Sequence, residues 1–289
     1  MFYERDGKSW DATMQDIHYE LKYTAYSFMP REFIDFVAAG FKTRVRARVE
    51  GSLFKYKLQG TVKSGDNDTT LGNTIINSCI ALEAMAALGL RGDIIVAGDD
   101  LLIVIDGDFD AVAFALVERQ LGITPDYRKF ADWESVSFIS GGWWQSQPGD
   151  YFFAPKVGRL LARLWWSVNP PPRRRLLEFK SSVAMGLWPI CKDLPVIRQL
   201  LEPHVKEGSK MGITGKYYAL TAEAVVGVNP FLVRIQFCGK YSLTEAELVE
   251  VEDFVSSIAT DVGLARHHLV DRILDADCAD LASRPEYES

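Results

Sequence analysis

Three carboxylates stand where strand-like runs end. Asp6 closes the short run from Met1, and Asp99 and Asp100 follow Gly98 between two apolar runs, Ile94–Ala97 and Leu101–Ile105. The second arrangement reads as a tight hairpin with two carboxylates at its tip. Carboxylates converging from separate strand ends suit a pair of divalent cations, one activating an attacking hydroxyl and the other stabilising a leaving pyrophosphate. Mg²⁺ keeps several waters and takes few protein carboxylates, so a sparse set suffices. The Gly-Asp-Asp tripeptide alone carries little weight, since it arises by chance in roughly one chain of this length in fifteen. Its bland reading is a solvated turn, and burial of both flanks is what would hold the tip rigid.

A second constellation runs from Ser64 and Gly65 through Thr69 and Asn73 to Asn77. A flexible Ser-Gly loop feeds a helix whose first turns carry hydroxyl and amide side chains. Such a helix start offers free N–H groups and polar side chains to a phosphate or a ribose. The competing reading is an ordinary N-cap in a polar loop. A simple cap does not require polar residues to continue at Thr69, Asn73 and Asn77, on one helical face.

The elements that must position these residues follow from periodicity. Helical spacing is expected around Thr13–Tyr26 and again after Pro30, where Phe33, Phe36, Val37 and Phe41 recur. Residues 43–60 alternate instead, with Arg44, Arg46 and Arg48 between Val45, Ala47 and Val49, and Glu50-Gly51-Ser52 as the turn. That pattern predicts a β-hairpin with one basic face. Thr69–Leu88 is strongly helical and ends at Gly89, a C-cap residue. Phe109–Leu121 predicts another amphipathic helix, and residues 135–153 read as strands and turns rich in glycine and aromatics. From Pro155 onward the pattern is mostly helical, broken by Pro170-Pro171-Pro172, with the last helices starting near the capping-box pattern Ser242-Leu243-Thr244-Glu245. Trp143, Trp144, Trp165 and Trp166 read as core residues.

Composition sets the limits. The chain has 289 residues, 48% of them hydrophobic, enough for one or two ordinary cores. Its four cysteines form no CxxC pair and read as reduced core residues rather than as a zinc site or a disulfide frame. No apolar stretch approaches the ~20 residues that span a bilayer, and no signal-peptide pattern opens the chain. The net charge is −7, but residues 242–289 hold 12 acidic and 3 basic residues, so the rest of the chain is mildly basic.

Taken together, these residues resemble the polymerase motifs of positive-strand RNA viruses. Asp6-Gly7-Lys8-Ser9-Trp10-Asp11 looks like motif A, Ser64-Gly65 with Thr69 and Asn73 like motif B, and Gly98-Asp99-Asp100 like motif C, in the family's order. The Ser-Gly-Asp-x-x-Thr-x-x-Gly-Asn form is most similar to the tombusvirus- and nodavirus-like branch of RNA-dependent RNA polymerases. The resemblance implies an α+β fold: a right-hand polymerase palm, an antiparallel sheet with packed helices, followed by a mostly helical thumb. It places the palm at residues 1–153 with a partial fingers insert at about 30–63, and the thumb with an acidic C-terminal extension at 154–289.

It also implies roles. Asp6, Asp99 and Asp100 would hold two Mg²⁺ or Mn²⁺ ions and carry catalysis. Asp11 and Asn73 would read the ribose 2′-hydroxyl, with Thr69 assisting, because a carboxylate and an amide together match a group that both donates and accepts. Ser64 and Gly65 would form the mobile nucleotide loop. Lys129 is the candidate general acid of motif D, with Arg128 or a plain surface charge as the alternatives. Residues 135–147 look like the primer-gripping hairpin. Arg44, Arg46 and Arg48, with Lys55 and Lys57, would meet template or NTP phosphates. Lys156, Arg159 and Arg163 would lie along the nascent duplex, or else form a solvated helix face. The partners implied are an RNA template and nascent strand and NTPs, in host cytoplasm or on membrane-associated replication complexes, although no transmembrane anchor is visible.

Only five residues precede Asp6, whereas the family carries a long basic fingers region there. The expectation is therefore a polymerase that is truncated, split over two polypeptides, or a non-catalytic relict that binds RNA or a partner. A reverse transcriptase is the enzymatic rival. Gly98, in place of the Tyr-x-Asp-Asp form, and Asp11, in place of an aromatic gate, speak against it.

Overall fold

The computed structural model describes residues 1–62, 68–107, 109–205, 227–259 and 266–282. The chain folds into two compact units, Met1–Ile139 and Ser140–Ser289. Both mix helices and strands, and every paired strand in the sheets described below is antiparallel.

The first unit contains β1 (Phe2–Gly7), α1 (Trp10–Thr13), α2 (Asp16–Ala25), α3 (Arg31–Ala39), β2 (Lys42–Val49), β3 (Ser52–Gln59), α4 (Thr69–Ala87), β4 (Gly92–Ala97), β5 (Asp100–Ile105), α5 (Ala111–Gln120), β6 (Pro125–Phe130) and β7 (Ser137–Phe138). Its main sheet has the order β4-β5-β1-β6. Period-two alternation sends Tyr3, Leu101, Ile103 and Ile105 to one face, where they pack with Ala81, Ala84 and Met85 of α4 and Phe114 of α5. On α4 the buried residues Asn73, Ile76, Asn77, Ile80, Ala81 and Ala84 recur at helical spacing, which fixes which face the helix turns to the sheet. The helix stops in a Schellman turn: Gly89 takes φ +64°, Leu90 N donates to Met85 O and Gly89 N to Ala86 O.

β2 and β3 form a separate two-stranded ribbon turning at Glu50 and Gly51, both with positive φ. Positive φ at both turn positions is what a tight hairpin of this length requires.

The second unit contains β8 (Gly141–Gln147), β9 (Asp150–Pro155), α6 (Val157–Arg163), a 3-10 turn (Arg173–Arg175), α7 (Leu176–Cys191), α8 (Ile197–Leu201), a second 3-10 turn (Glu202–His204), α9 (Pro230–Tyr241), α10 (Glu245–Ile258) and α11 (His268–Ala282). The β8–β9 pair belongs to this helical unit, whereas the sequence groups residues up to 153 with the first domain. The reason is burial: Trp144, Phe152 and Ala154 sit in one core with Ala184, Phe237, Tyr241 and Ile273. Gln236 fastens the pair further by donating to Trp143 O and accepting from Gln145 N. Gly158 lets α6 meet α11, since a Cβ there would lie 2.3 Å from Ile273 O.

α10 starts two residues later than the Ser242 reading. Ser242 takes a left-handed conformation that ends α9, and Thr244 with Glu247 makes the capping box. Trp144 is fully buried, but Trp166 is 70% exposed, against the expectation of core.

Candidate active site

Asp6 lies near the end of β1. The β1–β6 register sets it directly opposite Asp126, and the β1–β5 register, carried one residue past Arg5–Leu101, sets it beside Asp100. Directly opposed residues on neighbouring strands share a face. Asp100, Asp6 and Asp126 therefore form a row across three adjacent strands, on the face turned away from α4 and α5. Asp99 completes the group at the tip of the β4–β5 hairpin, whose two-residue turn has Gly98 at φ +67°. Asp126 was not singled out from the sequence; only the β1–β6 register reveals it.

Like charges this close oppose one another's ionisation. Burial first, and then the charges of Asp99 and Asp6, push the Asp100 carboxyl up to about 6, with Arg5 acting in the opposite direction. The carboxylates form a loose set rather than a closed cage, because they are not among the groups whose ligand atoms all lie within 4.8 Å of one another. Hard carboxylate oxygens in an open, electrostatically strained row fit a hydrated divalent ion such as Mg²⁺, which needs one or two protein carboxylates.

The group that does meet that spacing among the described residues is Glu250, His267 and His268 in the second unit. Its chemistry suits an ion poorly. His267 Nδ1 accepts from Leu269 N at 3.3 Å, which leaves the proton on Nε2, 3.1 Å from Glu250 Oε1. The pair reads as a hydrogen-bonded contact between α10 and the start of α11.

α4 brings the second constellation to the same region. Asn73 is buried and donates from Nδ2 to Asp11 Oδ1 at 3.0 Å. Its Oδ1 has no hydrogen-bond partner among the described residues. A buried amide oxygen left unpaired beside a carboxylate is ready for a hydroxyl donor. Thr69 begins α4 and lines a pocket of about 260 Å³ with Lys22, Val62 and Asp68. Asp68 accepts from Lys22 Nζ and from Tyr26 OH, anchoring the start of α4 to α2. Gly72 permits this, since a Cβ there would lie 2.8 Å from Lys22 Cδ and 2.9 Å from Asp68 Oδ2. Ser64 and Gly65 lie outside the described residues.

Lys129 stands apart from the carboxylates. It is opposite Tyr3 in the β1–β6 register, on the helix-packed face, with its Nζ 5.8 Å from the Tyr3 ring centroid. Arg128, opposite Glu4, shares the face of Asp6 and Asp126. Arg44, Arg46 and Arg48 are exposed on one face of the β2–β3 ribbon with Lys55 and Lys57. In the second unit Lys156 precedes α6 and Arg163 ends it, exposed. Arg159 is committed to the fold, donating to Asp277 O at 3.1 Å and Ser140 Oγ at 2.7 Å.

A carboxylate row at strand ends, flanked by a helix that presents a buried Asn to a second Asp, is an arrangement suited to a hydrated divalent ion beside a hydroxyl-bearing ligand. Residues 12–126 match the family model of viral RNA-dependent RNA polymerase. The matched span holds Thr69, Asn73, Asp99 and Asp100, while Asp6, Asp11 and Lys129 fall just outside it. No curated protein matches the chain. Among the described residues, no helix is long and apolar enough to cross a membrane.

Proposed function

We propose that this chain is the catalytic part of a viral RNA-dependent RNA polymerase of the tombusvirus- and nodavirus-like type, its first unit a palm and its second a thumb. The observation that carries the reading is the joint placement of Asp6, Asp99 and Asp100 in one mutually repelling group, together with the Asp11–Asn73 contact. Asp6 and Asp99 would hold two Mg²⁺ or Mn²⁺ ions, with Asp100 beside them. Bound there, the ions would supply the charge that activates a 3′-hydroxyl and stabilises departing pyrophosphate. Asp11 and Asn73 orient the ribose: the free Asn73 Oδ1 accepts from a 2′-hydroxyl, while Asp11 fixes the amide's rotation. Arg128 is better placed than Lys129 to meet a phosphate beside the carboxylates, given its face on β6.

The exposed cations of the β2–β3 ribbon favour a polyanion, here the RNA template or the NTP phosphates. A fingers region, in the same or a second polypeptide, would complete the NTP tunnel. The test is RNA-templated extension by the chain with a fingers region supplied in cis or in trans. Asp99→Ala should abolish synthesis while leaving the melting temperature within a few degrees of wild type. Undiminished synthesis would end the catalytic assignment and leave a non-catalytic RNA- or partner-binding subunit.

A further inference from the structure

The backbone of the Gly98–Asp100 turn is held by side chains from elsewhere in the first unit. Thr74 Oγ1 accepts from Gly98 N at 2.8 Å while donating to Thr70 O at 2.7 Å. Asn77 Nδ2 donates to Gly98 O at 3.0 Å and lies 3.4 Å from Asp100 O. Arg5 Nη1 donates to Asp99 O at 3.3 Å. A tight hairpin tip normally leaves such groups to water. Here each residue of the turn has at least one backbone polar atom gripped.

The holders are themselves over-determined. Arg5 and Asn77 are both fully buried, and Arg5 Nη2 donates to Asn77 Oδ1. The same guanidinium lies 3.3 Å from the buried Glu118 Oε1, and its Cζ lies 4.9 Å from the Trp10 ring centroid. Tyr127 OH donates to the other Glu118 oxygen at 2.5 Å, so the carboxylate cannot turn away from Arg5. A planar guanidinium can address Asp99 O, Asn77 and Glu118 at once because its donors form a fixed fork, which an ammonium cannot imitate.

Placement in the chain gives the arrangement its meaning. Arg5 directly precedes Asp6 on β1, and Asn77 lies one helical turn beyond Asn73 on the same face of α4. A full buried charge is costly unless it is paired and hydrogen-bonded, and a core that needed only packing would use an apolar residue at position 5.

Resting on the polymerase reading, we infer that Arg5, Asn77 and Thr74 are positioning residues: a latch that locks the Asp99–Asp100 turn to Asp6 and to the ribose-reading face of α4, setting the spacing at which the carboxylates receive cations. None of the three touches substrate. They act through the backbone of the turn.

The experiment is Mn²⁺ titration of the full chain by calorimetry, with thermal melting of each variant as the control for folding. Asp99→Asn is the reference that locates the ion. Arg5→Lys keeps the charge beside Glu118 but loses the fork, and Asn77→Ser loses both carbonyl contacts; each should weaken Mn²⁺ about tenfold. Thr74→Val keeps the side-chain shape at a half-exposed position and removes the hydroxyl's two hydrogen bonds, of which only the one from Gly98 N reaches the turn; it should weaken Mn²⁺ about threefold with melting little changed. It remains informative where a buried substitution unfolds the chain. Wild-type affinity in every folded latch variant overturns the latch. Mn²⁺ binding that Asp99→Asn leaves intact overturns the catalytic reading beneath it, and the latch with it.

Discussion

Asp11 and Asn73 are 62 positions apart in the chain and meet through a 3.0 Å hydrogen bond, Asn73 Nδ2 to Asp11 Oδ1. Among the described residues the amide oxygen then has no partner, an unpaired acceptor on a buried side chain. A ribose 2′-hydroxyl donated to that oxygen would repair the deficit, and a deoxyribose would not. Sites built to hydrogen-bond a hydroxyl reject the analogue lacking it, because the buried polar group then stays unpaired.

Asn73→Ala and Asp11→Ala are therefore expected to lower the preference for NTPs over dNTPs by roughly ten- to a hundredfold, the worth of about 1–3 kcal/mol. Competing incorporation of UTP and dTTP in the assembled polymerase measures this. Unchanged discrimination in both variants would remove the ribose-reading role.

The strain at Asp100 gives a pH signature. Its carboxyl is raised from 3.8 to about 6, mainly by burial and then by Asp99 and Asp6. A folded-state pKa above the unfolded value means that the native state binds the proton more tightly. The penalty is absent below the unfolded pKa, grows as pH rises through the interval between the two values, and is complete above about 6. In EDTA, Asp100→Asn should stabilise the chain at pH 8 by about 1–2 kcal/mol, after discounting the full shift for partial solvent exposure. The gain should shrink toward zero as pH falls to about 4. Urea unfolding of both proteins across that range would expose a wrong sign at once.

Much of this site was legible because its elements have strong local signals. The apolar runs flanking Gly98-Asp99-Asp100 do pair as a hairpin, and α4 begins at Thr69 and stops at the Gly89 cap. Arg5 was not legible. Nothing local distinguishes a buried arginine from an exposed one, and its partners Asn77, Asp99 and Glu118 are 72, 94 and 113 residues away. Lys129 and Arg128 differ for a related reason. Period-two alternation puts adjacent strand residues on opposite faces, so only the register decides which one faces the carboxylates. The unit boundary was equally hidden, since the Trp144 and Phe152 positions gain their core partners from helices far along the chain.

Two glycines in helices should answer to alanine with opposite signs. At Gly158 a Cβ would meet Ile273 O at 2.3 Å and the Asp277 side chain at 2.9 Å, so Gly158→Ala must push α6 off α11. Forced overpacking of this kind costs about 1–3 kcal/mol. At Gly186, inside α7, a Cβ meets nothing within 4 Å. Gly186→Ala should therefore stabilise by about 0.5–1 kcal/mol through helix propensity alone. Denaturant midpoints of the two variants should fall on either side of wild type.

The β2–β3 ribbon should trade stability against RNA affinity. Its register sets Arg44 opposite Lys57 and Arg46 opposite Lys55, so two like-charged pairs face each other directly across the strands. Such pairs destabilise a ribbon by roughly 0.2–1 kcal/mol each, and no ion pair offsets these four cations among the described residues. Along a strand, alternate side chains stand about 6.8 Å apart, so the face is a ladder of cations that a phosphate backbone can follow. Arg46→Gln and Lys55→Gln together should raise the unfolding midpoint slightly while weakening single-stranded RNA. Because each phosphate contact contributes about 0.7 to the slope of log affinity against log salt, losing two should reduce that slope by about 1.4. Fluorescence anisotropy of labelled RNA over a salt series measures it. A loss of affinity with an unchanged slope would mean that the ribbon acts through shape rather than charge, and an unchanged affinity would take the ribbon out of the RNA path.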